Sequence, residues 1–350
     1  MKTVSNSLLA IQIPSRPSSM TRGSDFIELM KPRVMLLAVF TALVGLLIAP
    51  VHLDFLHQLI AVLAIAVGAG AAAALNMWFD ADIDALMART AKRPLPRGRI
   101  TRREALLFGL TLASCAVSVL AIALNVTAAA LLAFAIFFYV VVYTAWLKRR
   151  TPQNIVIGGA AGALPPVIGW AAATGDIGME PLVLFLMIFL WTPPHFWALC
   201  INRTDDYSRA GVPMLPVSAG WVATTKQILI YRTVLVVASM LPWVVGLAGT
   251  IYVAFAVAGG TMFVALAWRL RKSAQTDRTP AHRLFAFSIF YLFVLFAALL
   301  ASSGRNEWPT RFFTYVHQLS DIRTARLWSN AGKIACGSKH EGGISCASQH

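Results

Sequence analysis

The sequence predicts an all-α fold, a polytopic membrane helical bundle of about nine transmembrane helices, on three observations. Of the 350 residues, 58% are hydrophobic and only 13% are charged, whereas a soluble domain carries about 25% charged residues. The apolar residues gather in stretches close to the roughly 20 residues that a spanning helix needs. Short polar or basic segments separate those stretches. Together these features exclude an ordinary soluble domain.

Nine apolar stretches are predicted to span the bilayer. The first is short, and we expect its helix to begin before Lys31. The fifth is rich in glycine, which lets neighbouring helices pack closely. The sixth contains Pro193-Pro194, which should interrupt the helical hydrogen-bond ladder and kink or open the helix. The predicted spans are 34–49, 59–79, 105–124, 128–147, 155–173, 181–201, 227–249, 252–270 and 284–302.

The predicted organisation is one membrane domain between two tails. Residues 1–26 form an N-terminal cytoplasmic tail without a signal-peptide pattern, 27–303 the transmembrane domain, and 304–350 a polar C-terminal tail expected to be mobile. Cys336 and Cys346 lie in that last tail and could pair only if it is extracytoplasmic.

Basic residues alternate from loop to loop. The net charge is +15, and every second loop carries most of it. The positive-inside rule therefore places the N-terminus and the basic loops in the cytoplasm. The charge is interpreted as an orientation signal and a complement to anionic substrates, so no nucleic-acid partner is expected. An odd number of spans then puts the tail after Ser303 on the outer side, and the basic residues of that tail fit the rule less well.

A first polar cluster ends the second span. Asn76, Asp80 and Asp84 are spaced i, i+4 and i+8, so on a helix they share one face. Asp82 would point away and is given a lesser role.

A second cluster, Asn202, Asp205 and Asp206, ends the sixth span on the same side, and its members should also share a helical face. The chain has only 15 acidic residues, and Asp80, Asp82, Asp84, Asp205 and Asp206 are five of them. Carboxylates this close need a neutralising cation. Oxygen donors suit Mg²⁺, which keeps open positions for substrate phosphates.

Arginines complete the predicted site. Arg89 and Arg93 are one helical turn apart in the basic loop, and guanidinium groups bind phosphate oxygens in a bidentate manner. The predicted site therefore binds a metal and a diphosphate. The alternative is a solvated helix end in which the acids merely pair with loop arginines, which a single cluster would favour. Two matched clusters on one side favour a functional site.

These motifs resemble the two aspartate-rich motifs of the UbiA superfamily of intramembrane prenyltransferases. Three further segments, MARTAKRPLP (87–96), TPPHFWAL (192–199) and DYSRAGVPMLPV (206–217), resemble its heme-farnesylating branch. The resemblance covers roughly residues 27–303 and implies a UbiA-like fold. One departure is Asn202, which stands where many members have the first aspartate of the second motif.

The resemblance implies farnesyl diphosphate and heme B as substrates, Mg²⁺ as cofactor, and heme O for cytochrome oxidase assembly as product. It implies a bacterial inner membrane location, with a mitochondrial inner membrane as the weaker alternative, and an enzyme that forms heme A as a further partner beside the lipid bilayer. The expected catalytic residues are Asp80, Asp84, Asp206, Arg89 and Arg93. The expected metal ligands are Asn76, Asp80, Asp84, Asn202, Asp205 and Asp206. The expected substrate contacts are Asn76, Arg89, Arg93, Lys148, His195, Asn202, Arg203 and Tyr207.

His195 is the expected axial ligand or propionate contact of heme, since it follows Pro193-Pro194 inside a span. A packed, hydrogen-bonded histidine is an equally weighted alternative. Lys148 could contact diphosphate or propionate, and the positive-inside rule explains it as well.

Two rival functions stay open at this point. Another UbiA-type prenyltransferase, acting on an aromatic acid or quinone precursor, would share the metal site and differ in its acceptor pocket. An ion-coupled membrane transporter would bind its ion through intramembrane acids. The acids gather at one membrane face rather than at the midplane, and no inverted repeat is evident, which disfavours the transporter.

Overall fold

A computed structural model describes residues 23–302 as an all-helical bundle. The expected tail 304–350 lies outside the described residues, as does most of the expected tail 1–26. The described α-helices are α1 (Gly23–Met30), α2 (Pro32–Leu47), α3 (Phe55–Phe79), α4 (Ala81–Leu86), α5 (Arg102–Ala123), α6 (Val126–Phe137), α7 (Asn154–Ala163), α8 (Pro165–Thr174), α9 (Met179–Ile201), α10 (Thr204–Arg209), α11 (Leu215–Ser218), α12 (Gly220–Ala238), α13 (Leu241–Val244), α14 (Thr250–Lys272) and α15 (Thr279–Ser302).

Within residues 23–302, eight helical segments are long and apolar enough to cross a membrane, and a bent pair of helices makes nine if it is one span. This confirms the predicted bundle. The bent pair is α1 and α2, which meet at an angle of 51°. If this pair forms one span, that span begins before Lys31, as predicted, although the helix is interrupted at Lys31. Helix α1 begins at Gly23, inside the range predicted as a tail.

Close helix crossings depend on glycines. A Cβ on Gly169 would lie 2.0 Å from the Ala42 carbonyl oxygen, and one on Gly45 would lie 2.2 Å from the Pro166 oxygen. These two positions bring α2 and α8 into backbone contact, which a larger residue would prevent. The prediction of tight packing at the glycines of the fifth span is therefore confirmed at Gly169.

The helix does not open at Pro193-Pro194, because α9 continues through both prolines to Ile201. Proline has no N–H, so these residues remove two helical hydrogen bonds without ending the helix. Both prolines are buried in the bundle, where packing on neighbouring helices holds the segment in place. Tertiary contact has therefore overridden the local preference.

The fourth span changes its winding part-way. After α6 the chain continues as a π-helix over Phe138–Trp146 and a 3₁₀ turn over Leu147–Arg149. This segment ends at the same end of the bundle as α3 and α9. That end, formed by residues 80–101, 147–153, 202–219 and 272–278, is termed the basic end below.

Candidate active site

The first cluster forms a buried polar row at the basic end. Asn76 lies in the last turn of α3, Asp80 joins α3 to α4, and Asp84 lies in α4; they are 4%, 1% and 4% exposed. Asn76 Nδ2 donates to Asp80 Oδ2 at 2.8 Å, and the Asp84 N–H donates to the Asp80 carbonyl at 2.8 Å. The predicted shared face is therefore present. Asp82 points away and pairs with Arg149.

Three cations from three parts of the chain face this row. Lys31 Nζ donates to Asn76 Oδ1 at 2.9 Å, Lys148 Nζ forms an ion pair with Asp80, and Arg93 Nη1 lies 2.5 Å from Asp84 Oδ2. The buried negative charge is thus matched by positive charge, as burial of carboxylates requires.

The second cluster differs from its prediction. Helix α9 ends at Ile201, and Arg203 (φ −133°) separates it from α10, so Asn202, Asp205 and Asp206 do not share one continuous helix. Asp206 is buried, whereas Asp205 is exposed. The expected common face is therefore wrong for Asp205, because the chain turns after Ile201.

The two clusters meet. The backbone N–H of Ala88, four residues after Asp84, donates to Asp206 Oδ1 at 3.3 Å. Beneath this contact, an apolar cluster joins residues from both regions: Ile83, Met87, Tyr143, Ile155, Cys200, Tyr207, Val212 and Met214. The ends of the second and sixth spans therefore form one site.

The predicted arginines play different parts. Arg93 points inward to Asp84, but Arg89 is exposed. Residues 87–99 form successive turns rather than a regular helix, so the two arginines are not separated by one helical turn as predicted. Arg89 still acts electrostatically on Tyr207. Arg203 is exposed.

Tyr207 is buried under the loop of the basic end. Burial raises the pKa of its phenol. Tyr207 is therefore a neutral phenol that packs in the site.

Two contributions were missed by the sequence analysis. Lys31 was not among the predicted site residues, yet it donates to Asn76, and its φ of 53° is the single positive φ of a non-glycine residue among 23–302. The π-helical segment supplies Thr144, whose hydroxyl accepts from Asn76 Nδ2 at 3.0 Å. For Lys31, the available sequence signal was its position next to Pro32, immediately before an apolar stretch. Sequence offers none for the π-helix.

The donor set fits a hard divalent cation. Asp80 Oδ1 and Asn202 Oδ1 are buried oxygens without a hydrogen-bond partner. Arg149 Nη2 lies 3.7 Å from Asp80 Oδ1. Carboxylate and amide oxygens that have no hydrogen-bond partner are available to coordinate Mg²⁺. No group of three His, Cys, Asp or Glu residues within 23–302 is close enough to hold a metal by itself.

Comparison with known families gives a match along most of the chain. The model of the UbiA prenyltransferase family matches residues 38–294. This chain belongs to that family.

Relatives within the UbiA family are close. Protoheme IX farnesyltransferase of Afipia carboxidovorans is 57% identical over 293 residues, which cover 83% of this chain and 93% of the relative. Protoheme IX farnesyltransferase 1 of Mesorhizobium japonicum is 58% identical over 281 residues, covering 80% and 90%.

Solved UbiA structures share the fold. Digeranylgeranylglyceryl phosphate synthase superposes with a TM-score of 0.67 at 20% identity, covering 81% of this chain and 99% of the other. A UbiA homolog from Archaeoglobus fulgidus bound to GPP and Mg²⁺ superposes with a TM-score of 0.55 at 17% identity, covering 78% and 99%. At such low identity these two likenesses concern the fold alone.

His195 lies deeper in this UbiA bundle, apart from the clusters. Its imidazole is stacked between Trp191 and Phe285, with ring centroids at 4.1 and 4.6 Å. His195 Nδ1 lies 2.5 Å from Ser288 Oγ, and that hydroxyl donates to the Phe285 carbonyl. With the single Ser288 hydrogen given to Phe285, the proton of the His195–Ser288 contact would come from Nδ1, which would leave the Nε2 lone pair available.

Proposed function

We propose that this protein transfers a farnesyl group from farnesyl diphosphate to a vinyl group of heme B, with addition of water, and so produces heme O. The single observation that carries a prenyl-diphosphate site is the contact between Ala88 and Asp206. It joins two oxygen-rich helix ends beside the partly buried cations Lys31, Lys148 and Arg93. The names of relatives at 57–58% identity support heme as the acceptor.

The diphosphate would bind where the cations converge. Lys31, Lys148 and Arg93 come from three separate segments and lie over the buried row. Guanidinium and ammonium groups complement the charge of a departing diphosphate. Arg89 and Arg203 are exposed at the basic end, where they can meet the diphosphate as it enters.

Mg²⁺ is the proposed cofactor. Asp80, Asp84 and Asp206 would hold it, with amide oxygens of Asn76 and Asn202, and Asp205 would lie at the rim. Bound there, it would neutralise the developing charge on the diphosphate oxygens. The open oxygens of Asp80 and Asn202 support this arrangement.

The proposed reaction needs no protein nucleophile. The C1–O bond of farnesyl diphosphate breaks, and its electron pair leaves with the diphosphate. The vinyl π electrons then form a carbon–carbon bond to C1, which leaves a cation on the vinyl carbon next to the porphyrin. Water adds there and loses one proton. The apolar bundle limits premature capture of the allylic cation by water.

His195 is the proposed ligand of the heme iron. Its Nε2 lone pair is free, while Ser288 fixes the Nδ1–H tautomer and the ring orientation. Trp191 and Phe285 hold the imidazole between them.

The proposed location is a bacterial inner membrane with the N-terminus and the basic end in the cytoplasm, as the positive-inside rule requires. An enzyme that converts heme O to heme A stays a predicted partner.

The test is mass spectrometry of heme extracted after purified protein is incubated with farnesyl diphosphate, Mg²⁺ and heme B. We expect a product heavier by one farnesyl group and one hydroxyl group, and none when a chelator removes the metal. A parallel incubation with 4-hydroxybenzoate is the acceptor control. Prenylation of the benzoate and not of heme would refute heme as the acceptor. If no diphosphate were released with either acceptor, the proposed prenyltransferase activity would be refuted.

A further inference from the structure

Arg232 is a charged side chain buried in a membrane-spanning helix. It lies in α12, its side chain is 0% exposed, and it is the largest fully buried side chain among the described residues. Its Nε, Nη1 and Nη2 atoms all lack a hydrogen-bond partner. A guanidinium group has five N–H donors, so all of them are buried without an acceptor.

Such a group needs an explanation. An unpaired charge inside a bundle is costly, and an intramembrane arginine normally pairs with an anion or backbone carbonyls. The face of Phe263 lies 3.5 Å from the guanidinium carbon, and this cation–π contact offsets part of the cost. It satisfies none of the N–H groups. The unmet donors therefore point to an anionic ligand.

The position of Arg232 separates it from the diphosphate site. It lies 12 residues after Gly220, the first residue of α12, which corresponds to about 18 Å along the helix. The cations that face the aspartates come from other segments. Arg232 is instead close enough to His195 to act on it electrostatically, and Phe263 packs on Tyr291 beside it with ring centroids 4.9 Å apart.

We infer that Arg232 binds a carboxylate of the acceptor substrate and thereby sets its orientation. This inference rests on the proposed function. Heme B carries two propionate carboxylates at one edge and two vinyl groups at the opposite side of the macrocycle. The planar fork of arginine matches a carboxylate in a bidentate manner.

The orientation follows from where the two sites lie. A propionate held at Arg232, deep in the bundle, directs the vinyl edge toward the basic end, where the allylic carbon of the donor would be held. Aromatic side chains pack around His195 and Phe263 in this region. Arg232 is thus a specificity-determining residue for the acceptor.

The experiment compares protoheme with its dimethyl ester, in which both carboxylates are blocked. Affinities are measured by heme quenching of tryptophan fluorescence in wild type, in Arg232→Gln, and in Lys226→Gln, which removes an exposed cation from the same helix. We expect wild type and K226Q to prefer the free acid by roughly 10- to 100-fold, as for a hydrogen bond to a charged group. We expect R232Q to lose that preference.

The inference would be overturned if wild type bound the free acid and the ester equally well. It would also be overturned if R232Q kept the preference for the free acid. If R232Q does not fold, the inference is tested by the wild-type comparison and by Arg232→Lys. Lysine should keep part of the preference for the free acid over the ester. Mass spectrometry separates the two proposals. If farnesylated heme forms but binding shows no preference for the free acid, only the role of Arg232 is refuted. If the preference for the free acid depends on Arg232 but no farnesylated heme forms, only the proposed reaction is refuted.

Discussion

The two polar clusters at the basic end have similar residues but different surroundings. In the first, Asn76, Asp80 and Asp84 are all buried, and each faces a cation. In the second, only Asp206 is buried, and its cation Arg209 comes from the next turn of the same short helix. Burial and long-range pairing thus make the first cluster the rigid half of the site, and the second the more open half.

The difference has a physical origin in the helix ends. The first cluster continues the long helix α3 almost without a break into α4, so its oxygens keep helical spacing. The second follows a helix that stops at Ile201, and the turn at Asn202 and Arg203 leaves Asp205 in solvent. Although the two clusters have similar residues, activity is therefore expected to be more sensitive to substitutions in the first cluster than in the second.

The largest effect is expected at Asp80. Asp80→Asn removes a buried charge from the proposed metal site and leaves Lys148 unpaired, so kcat should fall roughly 10²- to 10³-fold. Diphosphate release in the presence of heme measures it. Asp82→Asn, two residues on and exposed, is the matched control and should stay within about threefold. Normal turnover of D80N would remove the first cluster from the chemistry.

A smaller effect is expected in the second cluster. Asp206→Asn should lower kcat/KM for farnesyl diphosphate roughly 10- to 100-fold, because it removes a buried carboxylate that accepts from Ala88. Asp205→Asn should lower it only about threefold, because Asp205 is exposed. Steady-state kinetics of D206N and D205N test this difference. A larger loss of kcat/KM in D205N than in D206N would contradict it.

Lys31 offers a sharper test of the first cluster. Lys31→Met removes the hydrogen bond to Asn76 Oδ1 and one cation of the proposed diphosphate site, so KM for farnesyl diphosphate should rise roughly tenfold. Arg33→Met removes an exposed cation two residues away and should leave KM unchanged. An equal rise in both variants would mean that net charge, not the contact with Asn76, matters.

The smallest effect concerns stability. The hydrogen bond from Arg149 lowers the pKa of the Asp82 carboxyl. The folded protein therefore gains stability above the ordinary pKa of about 3.9 and loses it as pH falls through the lowered value. Because Asp82 is largely exposed, D82N should cost less than about 1 kcal/mol at pH 7. Thermal unfolding in detergent should show this gap closing below pH 4, and a gap independent of pH would exclude the ion pair as its cause.

Much of the fold was predictable because bilayer-length apolar stretches are a local property of the chain. Where local rules failed, packing had intervened. The helix through Pro193-Pro194 persists since both rings are buried among neighbouring helices. The π-helical winding at Phe138–Trp146 has no sequence signature that separates it from an ordinary apolar span.

The sequence by itself determined that this is a helical membrane protein with two oxygen-rich clusters at one end, because composition, helical period and loop charge are read along the chain. Only the tertiary structure decided which oxygens are buried and which cations meet them. Lys31 and Asn76 are 45 residues apart, Lys148 and Asp80 are 68 apart, and Ala88 and Asp206 are 118 apart. Pairings over such separations arise only when the helices pack, and the unpaired guanidinium of Arg232 becomes visible only then.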